Sequence, residues 1–358
     1  MTDLLDLSRD ELRALLAEWG QPAYRADQVW HWLYVQLAAG PAEMSNLPGA
    51  LRARLAAETR IGGLASLAEQ HSSDGETVKW LFDLATPGGG AQVETVLMRY
   101  DPSLRSGRSR GRRTACISSQ AGCGMGCSFC ATGQMGLQRN LSAGEITAQV
   151  LFAARQLARA GEALTNVVLM GMGEPFANYD AVLAALRRLT DPTGFNMGQR
   201  RLTVSTVGLV PGIERFSREG LQVNLAVSLH AATDDLRDTL VPLNRRYPLE
   251  RLFAACRDYA ARTHRRISFE WALIHGVNDD VTQARALAER VRGLLCHVNL
   301  IPLNPTAGYP GAPTPPEQVT AFSAELERHG VPVTVRVRRG IDIQAGCGQL
   351  RQRVTKDG

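Results

Sequence analysis

The sequence predicts an α/β protein: a partial barrel of six β/α units, preceded by a small helical unit and a pair of strands. Three observations carry this. From residue 114 almost to the end, strand-like runs alternate with amphipathic helical stretches. The strand runs are near-continuously apolar, as parallel strands covered on both faces must be. The first sixty residues read instead as short, capped helices.

Taken in order, Ser8 and Glu11 form a capping-box pattern, Leu12, Leu15 and Leu16 follow at helical spacing, and Gly20 suits the stop. A second helix is expected from Arg25 to Leu37, with Val29, Leu33 and Leu37 on one face, and a third from Pro48 to Thr59. Thr77 to Leu84 and Gln92 to Met98 read as two strands around a turn of Pro87 and Gly88 to Gly90. Barrel strands are expected at Ala115 to Ser119, Asn166 to Met170, Arg201 to Ser205, Gln222 to Ser228, Ile267 to Leu273 and Val298 to Leu303. Helices between them include Ala143 to Arg159, Tyr179 to Leu189, Leu249 to Arg262, Thr282 to Arg292 and Pro316 to His329. The division that follows is a helical accessory domain over 1–75, a hairpin and arginine-rich linker over 76–113, and a barrel over 114–358. Ligands are expected at the C-terminal ends of the strands.

With 358 residues, 44% hydrophobic and 21% charged, the chain has ample material for a core, and its composition excludes a disordered or collagen-like protein. No apolar run reaches the length of a membrane span, and the start MTDLLDLSRDEL is acidic rather than a basic leader, so a cytoplasmic protein is expected. The net charge of +5 is too small to prove a nucleic-acid partner. Its distribution says more: six arginines and one acid lie between Arg99 and Arg113, and the stretch from Arg336 to Lys356 is again basic. These are two candidate phosphate-facing surfaces, although a solvated insertion reads equally well for the first. Seven cysteines without an export signal are better read as metal ligands, reactive thiols or core residues than as disulfides.

Cys123-Gly-Met-Gly-Cys127-Ser-Phe-Cys130 is the strongest chemical signal. Three thiols within eight residues, on a loop that glycines let wrap tightly, can hold three irons of a [4Fe-4S] cube and leave the fourth open. A zinc knuckle is the alternative, but a structural zinc wants a fourth Cys or His, and none lies nearby in sequence. Gly171, Gly173 and Glu174, in Gly171-Met-Gly-Glu-Pro175, let backbone and a carboxylate approach a cationic ligand. Ser205, Ser228, Leu229, His230 and Asn304 fall at or just past strand ends. Cys256 and Cys296 sit among apolar neighbours and read as core, whereas Cys347, in Ala345-Gly-Cys347-Gly, has small neighbours that give a thiol access.

The CxxxCxxC spacing resembles the signature of the radical S-adenosylmethionine enzymes. Cys116-Ile-Ser-Ser-Gln-Ala-Gly-Cys123, the Gly171 to Pro175 run, Ser228-Leu-His230, Asn304-Pro305 and Asp342-Ile-Gln-Ala-Gly-Cys347-Gly-Gln-Leu350 together resemble the RlmN/Cfr group of adenosine methyltransferases that act on ribosomal RNA. Arg25-Ala-Asp-Gln-Val-Trp30 resembles that group's small N-terminal domain, so the likeness spans the chain. It implies a radical-SAM barrel with one [4Fe-4S] cluster on Cys123, Cys127 and Cys130, and S-adenosylmethionine, two per turnover, held by Gly173, Glu174, Ser205, Ser228, Leu229, His230 and Asn304. The implied substrates are 23S ribosomal RNA, at an adenosine of the peptidyl transferase centre, and transfer RNA. A flavodoxin-type reductant, a thiol reductant and a monomeric state go with it.

Adenine C2 is electrophilic and has no lone pair, so it cannot displace a methyl group from a sulfonium by itself. In the mechanism the resemblance implies, one S-adenosylmethionine methylates Cys347. Reductive cleavage of a second gives a 5′-deoxyadenosyl radical that takes hydrogen from the S-methyl group, and the carbon radical adds to C2. After loss of an electron and of the C2 proton, Cys116 attacks the Cys347 sulfur, the methylated base leaves, and a transient disulfide awaits reduction. Glu94, in Val93-Glu-Thr95, resembles the group's proton acceptor, while strand alternation alone equally allows a solvated residue. The arginine segment departs from the usually shorter connection of that group. A C8-directed Cfr-type enzyme shares the motifs; a non-catalytic iron-sulfur RNA-binding protein would need neither Cys116 nor Cys347.

Overall fold

The computed structural model describes residues 1–84, 90–100, 111–336 and 339–350. The arginines at 105, 108 and 110, the turn at Pro87 to Gly89 and the basic end of the chain lie outside the described residues. The chain begins with β1 (Thr2–Asp3), α1 (Arg9–Glu18), α2 (Tyr24–Tyr34) and α3 (Gly49–Glu58), then β2 (Thr59–Arg60), which pairs with β1. Ser8 Oγ accepts from the Glu11 amide and the Glu11 carboxylate accepts from the Ser8 amide, so the expected capping box is formed. Leu12, Leu16, Val29, Leu33, Leu51 and Leu55 turn inward into one core. That core continues into the barrel, because Ala148 and Leu151 belong to it.

Three antiparallel strands follow, β3 (Leu64–His71), β4 (Thr77–Leu84) and β5 (Gln92–Tyr100). The last two are the expected pair. The first was not legible: it is an edge strand with no continuous buried face, so no alternation of apolar residues marks it. β5 pairs antiparallel with β6 (Arg112–Cys116), the first barrel strand, so the hairpin extends the barrel sheet. β6 lies earlier in the chain than the expected Ala115 to Ser119. Its arginine start is held by Glu162, which pairs with Arg113, while Ser118 and Ser119 leave the ladder to donate to Gln149 Oε1 and Met172 O.

The chain then forms β7 (Gln120–Cys123), α4 (Ala131–Gln134), β8 (Gly136–Asn140) and α5 (Ala143–Arg159), and continues as β9 (Asn166–Leu169), α6 (Tyr179–Thr190), β10 (Leu202–Thr206), α7 (Val210–Phe216), β11 (Asn224–Ser228), α8 (Asp234–Leu240), α9 (Leu249–Thr263), β12 (Ile267–Leu273), α10 (Val281–Arg290), β13 (Cys296–Pro302), α11 (Pro316–Arg328) and β14 (Val333–Val335). One ten-stranded sheet runs β14-β13-β12-β11-β10-β9-β6-β5-β4-β3. From β6 to β14 every neighbouring pair is parallel, which makes β14 a seventh parallel strand beyond the six expected. At three residues it is too short to leave a pattern in the sequence. Helix α5 carries a second capping box, Ser142 with Glu145. Cys256 and Cys296 are buried in the main core, as read from their neighbours. Among the described residues no helix is long and apolar enough to cross a membrane.

Candidate active site

The cysteine loop is built on a small hairpin. β7 and β8 pair antiparallel beside the barrel mouth, and Gly122, at φ +74°, lies so close to Gly136 that a Cβ there would fall 2.0 Å from the Gly136 carbonyl oxygen. Only glycine fits. Cys123, Cys127 and Cys130 then line one large cavity over the C-terminal ends of the strands, which encloses about 1060 Å³ including its open mouth. Burial pushes the Cys123 thiol up to about 12 and raises Cys127 and Cys130 as well. Three crowded, desolvated thiols ionise together only when a cationic group lies among them, which is the condition a metal cluster meets. Among the described residues no three His, Cys, Asp or Glu side chains converge on one point as a single ion requires. A cube takes each thiolate on a different iron and needs no such convergence, so three thiols on one loop fit a cluster with one iron left open.

Opposite the thiols lie the strand ends. Gly173 has φ +100°, and a Cβ would fall 2.5 Å from that of Gln120, so the backbone turns here only because no side chain intervenes. The turn buries Glu174 at the cavity wall. Its two carboxylate oxygens accept from the amides of Phe176 (3.0 Å) and Val207 (2.8 Å), yet burial still pushes its carboxyl up to about 7. Val207 is itself fixed from the other side, since its carbonyl accepts from the buried Arg237. His230 adopts φ +63° and faces Phe129 edge to face at 4.7 Å. Its Nδ1 accepts from the Ala272 amide at 3.0 Å, which places its proton on Nε2, and burial lowers its pKa to about 3. The imidazole is therefore a neutral donor. Asn304 donates to the Cys347 carbonyl at 3.0 Å, while its Oδ1 is buried with no partner among the described residues. That orphaned acceptor suits a ligand amino or hydroxyl group.

Gly173, Glu174, Ser205, Ser228, His230 and Asn304 all line this cavity. Leu229 does not: its side chain is fully buried in the main core, and its backbone is taken up within the protein, donating to Glu270 O and accepting from Arg237.

A second, smaller cavity adjoins the first and is lined by Cys116 and Cys347 together. Met170, Ile301, Asn304, Arg336, Cys347 and Leu350 line both spaces, so Cys347 stands at their junction. Arg336 Nη1 donates to Cys347 Sγ at 3.4 Å. Burial pushes the Cys116 thiol up to about 12. Both cysteines are free thiols. Glu94 is buried, which excludes the solvated alternative, and its carboxylate pairs with Lys79 Nζ at 2.9 Å. It lines neither of these cavities.

Two charged residues lining the first cavity, Glu270 and Arg336, escaped the sequence reading. Glu270 accepts from Ser268 (2.8 Å) and Asn299 (2.7 Å) inside the barrel. A lone charge within the apolar run Ile267 to Leu273 was a signal that could have found it. Arg336 carried no such signal, being one arginine in a basic stretch.

A half-buried three-cysteine loop facing a glycine-lined carboxylate at the open end of a parallel barrel is the arrangement of a radical SAM enzyme. The model of the radical SAM superfamily matches residues 117–287, and that of the ribosomal RNA large subunit methyltransferase N-terminal domain matches residues 2–61. The chain is 51% identical to the dual-specificity RNA methyltransferase RlmN 1 of Myxococcus xanthus, over 99% of this chain and 95% of that protein. It is 52% identical to a probable dual-specificity RNA methyltransferase RlmN of Chloroflexus aurantiacus, over 98% and 93%. The crystal structure of a radical SAM methyltransferase from Sphaerobacter thermophilus superimposes with a TM-score of 0.93 at 52% identity, covering 99% of this chain and all of that one. The chain belongs to the RlmN family of radical SAM RNA methyltransferases. Its cofactors are accordingly a [4Fe-4S] cluster and S-adenosylmethionine.

Proposed function

We propose that this protein methylates C2 of an adenosine in the peptidyl transferase centre of 23S ribosomal RNA, and an adenosine of transfer RNA, through a methyl-cysteine at Cys347 and a transient Cys116–Cys347 disulfide. The dual-specificity names of the relatives support two RNA substrates, and the match to the ribosomal RNA large subunit methyltransferase N-terminal domain supports ribosomal RNA as one of them. The observation that carries the mechanism is the cavity shared by Cys116 and Cys347, which opens onto the one lined by the cluster cysteines. When bound, the cluster and S-adenosylmethionine supply a methyl group and a hydrogen-abstracting radical. Cys123, Cys127 and Cys130 hold the cluster. Glu174 and Gly173 take the methionine ammonium, the His230 Nε2–H and the Ser205 and Ser228 hydroxyls donate to the cofactor, and Asn304 Oδ1 accepts from it; Leu229, buried behind the cavity, supports the strand end and does not touch the cofactor.

Arg336 keeps the Cys347 sulfur at the junction, where it accepts the methyl group on one side and meets the Cys116 sulfur on the other. Cys116, kept protonated by burial, attacks the Cys347 sulfur: the S–S bond forms as the S–CH2 bond breaks, and the thiol proton ends on the released carbon, which becomes the methyl group. Glu94 accepts the proton from C2. Residues 1–75 serve as the RNA-binding accessory domain, 76–113 as hairpin and linker, and 114–358 as the catalytic barrel. The protein works as a cytoplasmic monomer with a flavodoxin-type and a thiol reductant.

Nucleoside mass spectrometry of RNA from a deletion strain tests the regiochemistry. Loss of 2-methyladenosine from both RNA classes is expected. Loss of 8-methyladenosine instead would make this a Cfr-type enzyme.

A further inference from the structure

Lys79 is a charged residue in a strand that is otherwise almost wholly buried: of β4, only Asp83 is even partly exposed. The register explains where it points. Lys79 pairs with Val96 on β5, and Val96 pairs with Cys116 on β6, so Lys79, Val96 and Cys116 form one cross-strand row on one face of the sheet. Glu94, two residues before Val96, shares that face and sits one step nearer the strand ends. There the Ser118 hydroxyl donates to its carbonyl and accepts from the Met172 amide, tying this part of β5 to the turn that carries Gly173 and Glu174. Lys79 Nζ lies 2.9 Å from Glu94 Oε1, and the two side chains are 6% and 1% exposed. The other end of the face, at Thr77, is covered by Gly340 of the segment that carries Cys347.

A carboxylate without a counter-charge in such a place would be heavily penalised, and a base must be ionised before it can act. We propose that Lys79 is a positioning residue for proton removal from the RNA: its ammonium holds Glu94 ionised and oriented until the adduct forms. This rests on the reading of Glu94 as the acceptor. In the step concerned, the C2–H bond breaks and its electron pair stays in the oxidised, cationic ring. The proton passes to the Glu94 carboxylate, the ring becomes neutral, and the carboxylic acid remains beside the ammonium. Lys79 gives and takes no proton.

The test compares Lys79→Met, Lys79→Arg and Glu94→Gln in the cluster-loaded full chain, following three quantities: methyl-Cys347 by peptide mass, cleavage of S-adenosylmethionine, and RNA that stays bound to protein under denaturing conditions. In Lys79→Met the first two should stay within about twofold of the unaltered protein, while turnover falls about 100-fold, the scale of a lost acid–base function. RNA should accumulate covalently at Cys347. Lys79→Arg, which keeps the charge, should recover most of the turnover. If Lys79→Met turns over normally while Glu94→Gln arrests as the adduct, Lys79 has no part in the step. If Lys79→Met and Lys79→Arg both lose methyl-Cys347 in proportion to turnover, Lys79 serves folding alone and the inference is wrong. Normal turnover by Glu94→Gln would instead overturn the reading of Glu94 itself.

Discussion

Glu174 faces opposite demands in the empty and the loaded protein. Alone, its buried carboxyl titrates at about 7 instead of 4.5, so the folded chain holds a proton that the unfolded chain has lost between those values. The stabilisation this gives is fully present below pH 4.5 and is lost as pH rises through 7. The methionine ammonium, which we propose Glu174 binds, needs the other form. We therefore expect affinity for S-adenosylmethionine to rise about tenfold per pH unit up to 7 and then level off. Equilibrium dialysis of the Cys347→Ala protein, in which no methyl transfer can intervene, measures this. A flat profile between pH 5.5 and 7.5 would remove Glu174 from the ammonium site. His230 should add no step in that range, because its imidazole is held neutral down to about pH 3.

Among the elements, the turn after β9 owes its shape to a single residue, Gly173. In Gly173→Ala the new methyl group would meet the Gln120 side chain and backbone at 2.5 to 2.7 Å while φ stays at +100°. A loss of about 1 to 3 kcal/mol in stability is expected, with affinity for S-adenosylmethionine reduced in parallel. Gly49→Ala is the control: it opens a helix, meets nothing within 4 Å and should change stability by less than about 0.5 kcal/mol. Equal melting temperatures for the two variants would contradict this account of the turn. The same contrast explains what the sequence made legible. Helices with caps and long apolar faces, such as α1 and α5, could be placed because local chemistry sets their ends. Strands β3 and β14 could not, since one is a half-exposed edge and the other is three residues long. The strand-end cluster of Glu174, His230 and Asn304 was legible because glycines and polar residues interrupt apolar runs there. Leu229 shows the limit: its neighbours Ser228 and His230 line the cavity, whereas its own side chain turns into the core, a distinction that adjacency in sequence does not encode.

At the scale of the molecule, the protein brings together two thiols from opposite ends of the barrel sequence. Cys116 ends β6, in the middle of the sheet, and Cys347 follows β14, at its edge. The returning segment crosses the open side of the barrel and is fastened at both ends. Asp342 accepts from the Ser73 amide at 2.7 Å and Arg339 pairs with Glu76, both in the turn between β3 and β4. Beyond Cys347, the Gly348 and Leu350 carbonyls accept from the Ala131 amide (2.8 Å) and the Thr132 hydroxyl (2.6 Å), immediately after Cys130, a proposed cluster ligand. The proposed carrier thiol is thus held between the cysteine loop and the hairpin, beside Cys116. The central claim is that these thiols have successive duties, carrying and release, and removal of Cys116 separates them. Cys116→Ala protein, incubated with reductant, S-adenosylmethionine and RNA and then run under denaturing conditions, should still methylate Cys347 but accumulate RNA as a nuclease-sensitive covalent adduct at that residue. Free methylated RNA released at the unaltered rate, with no adduct, would contradict the two-thiol mechanism.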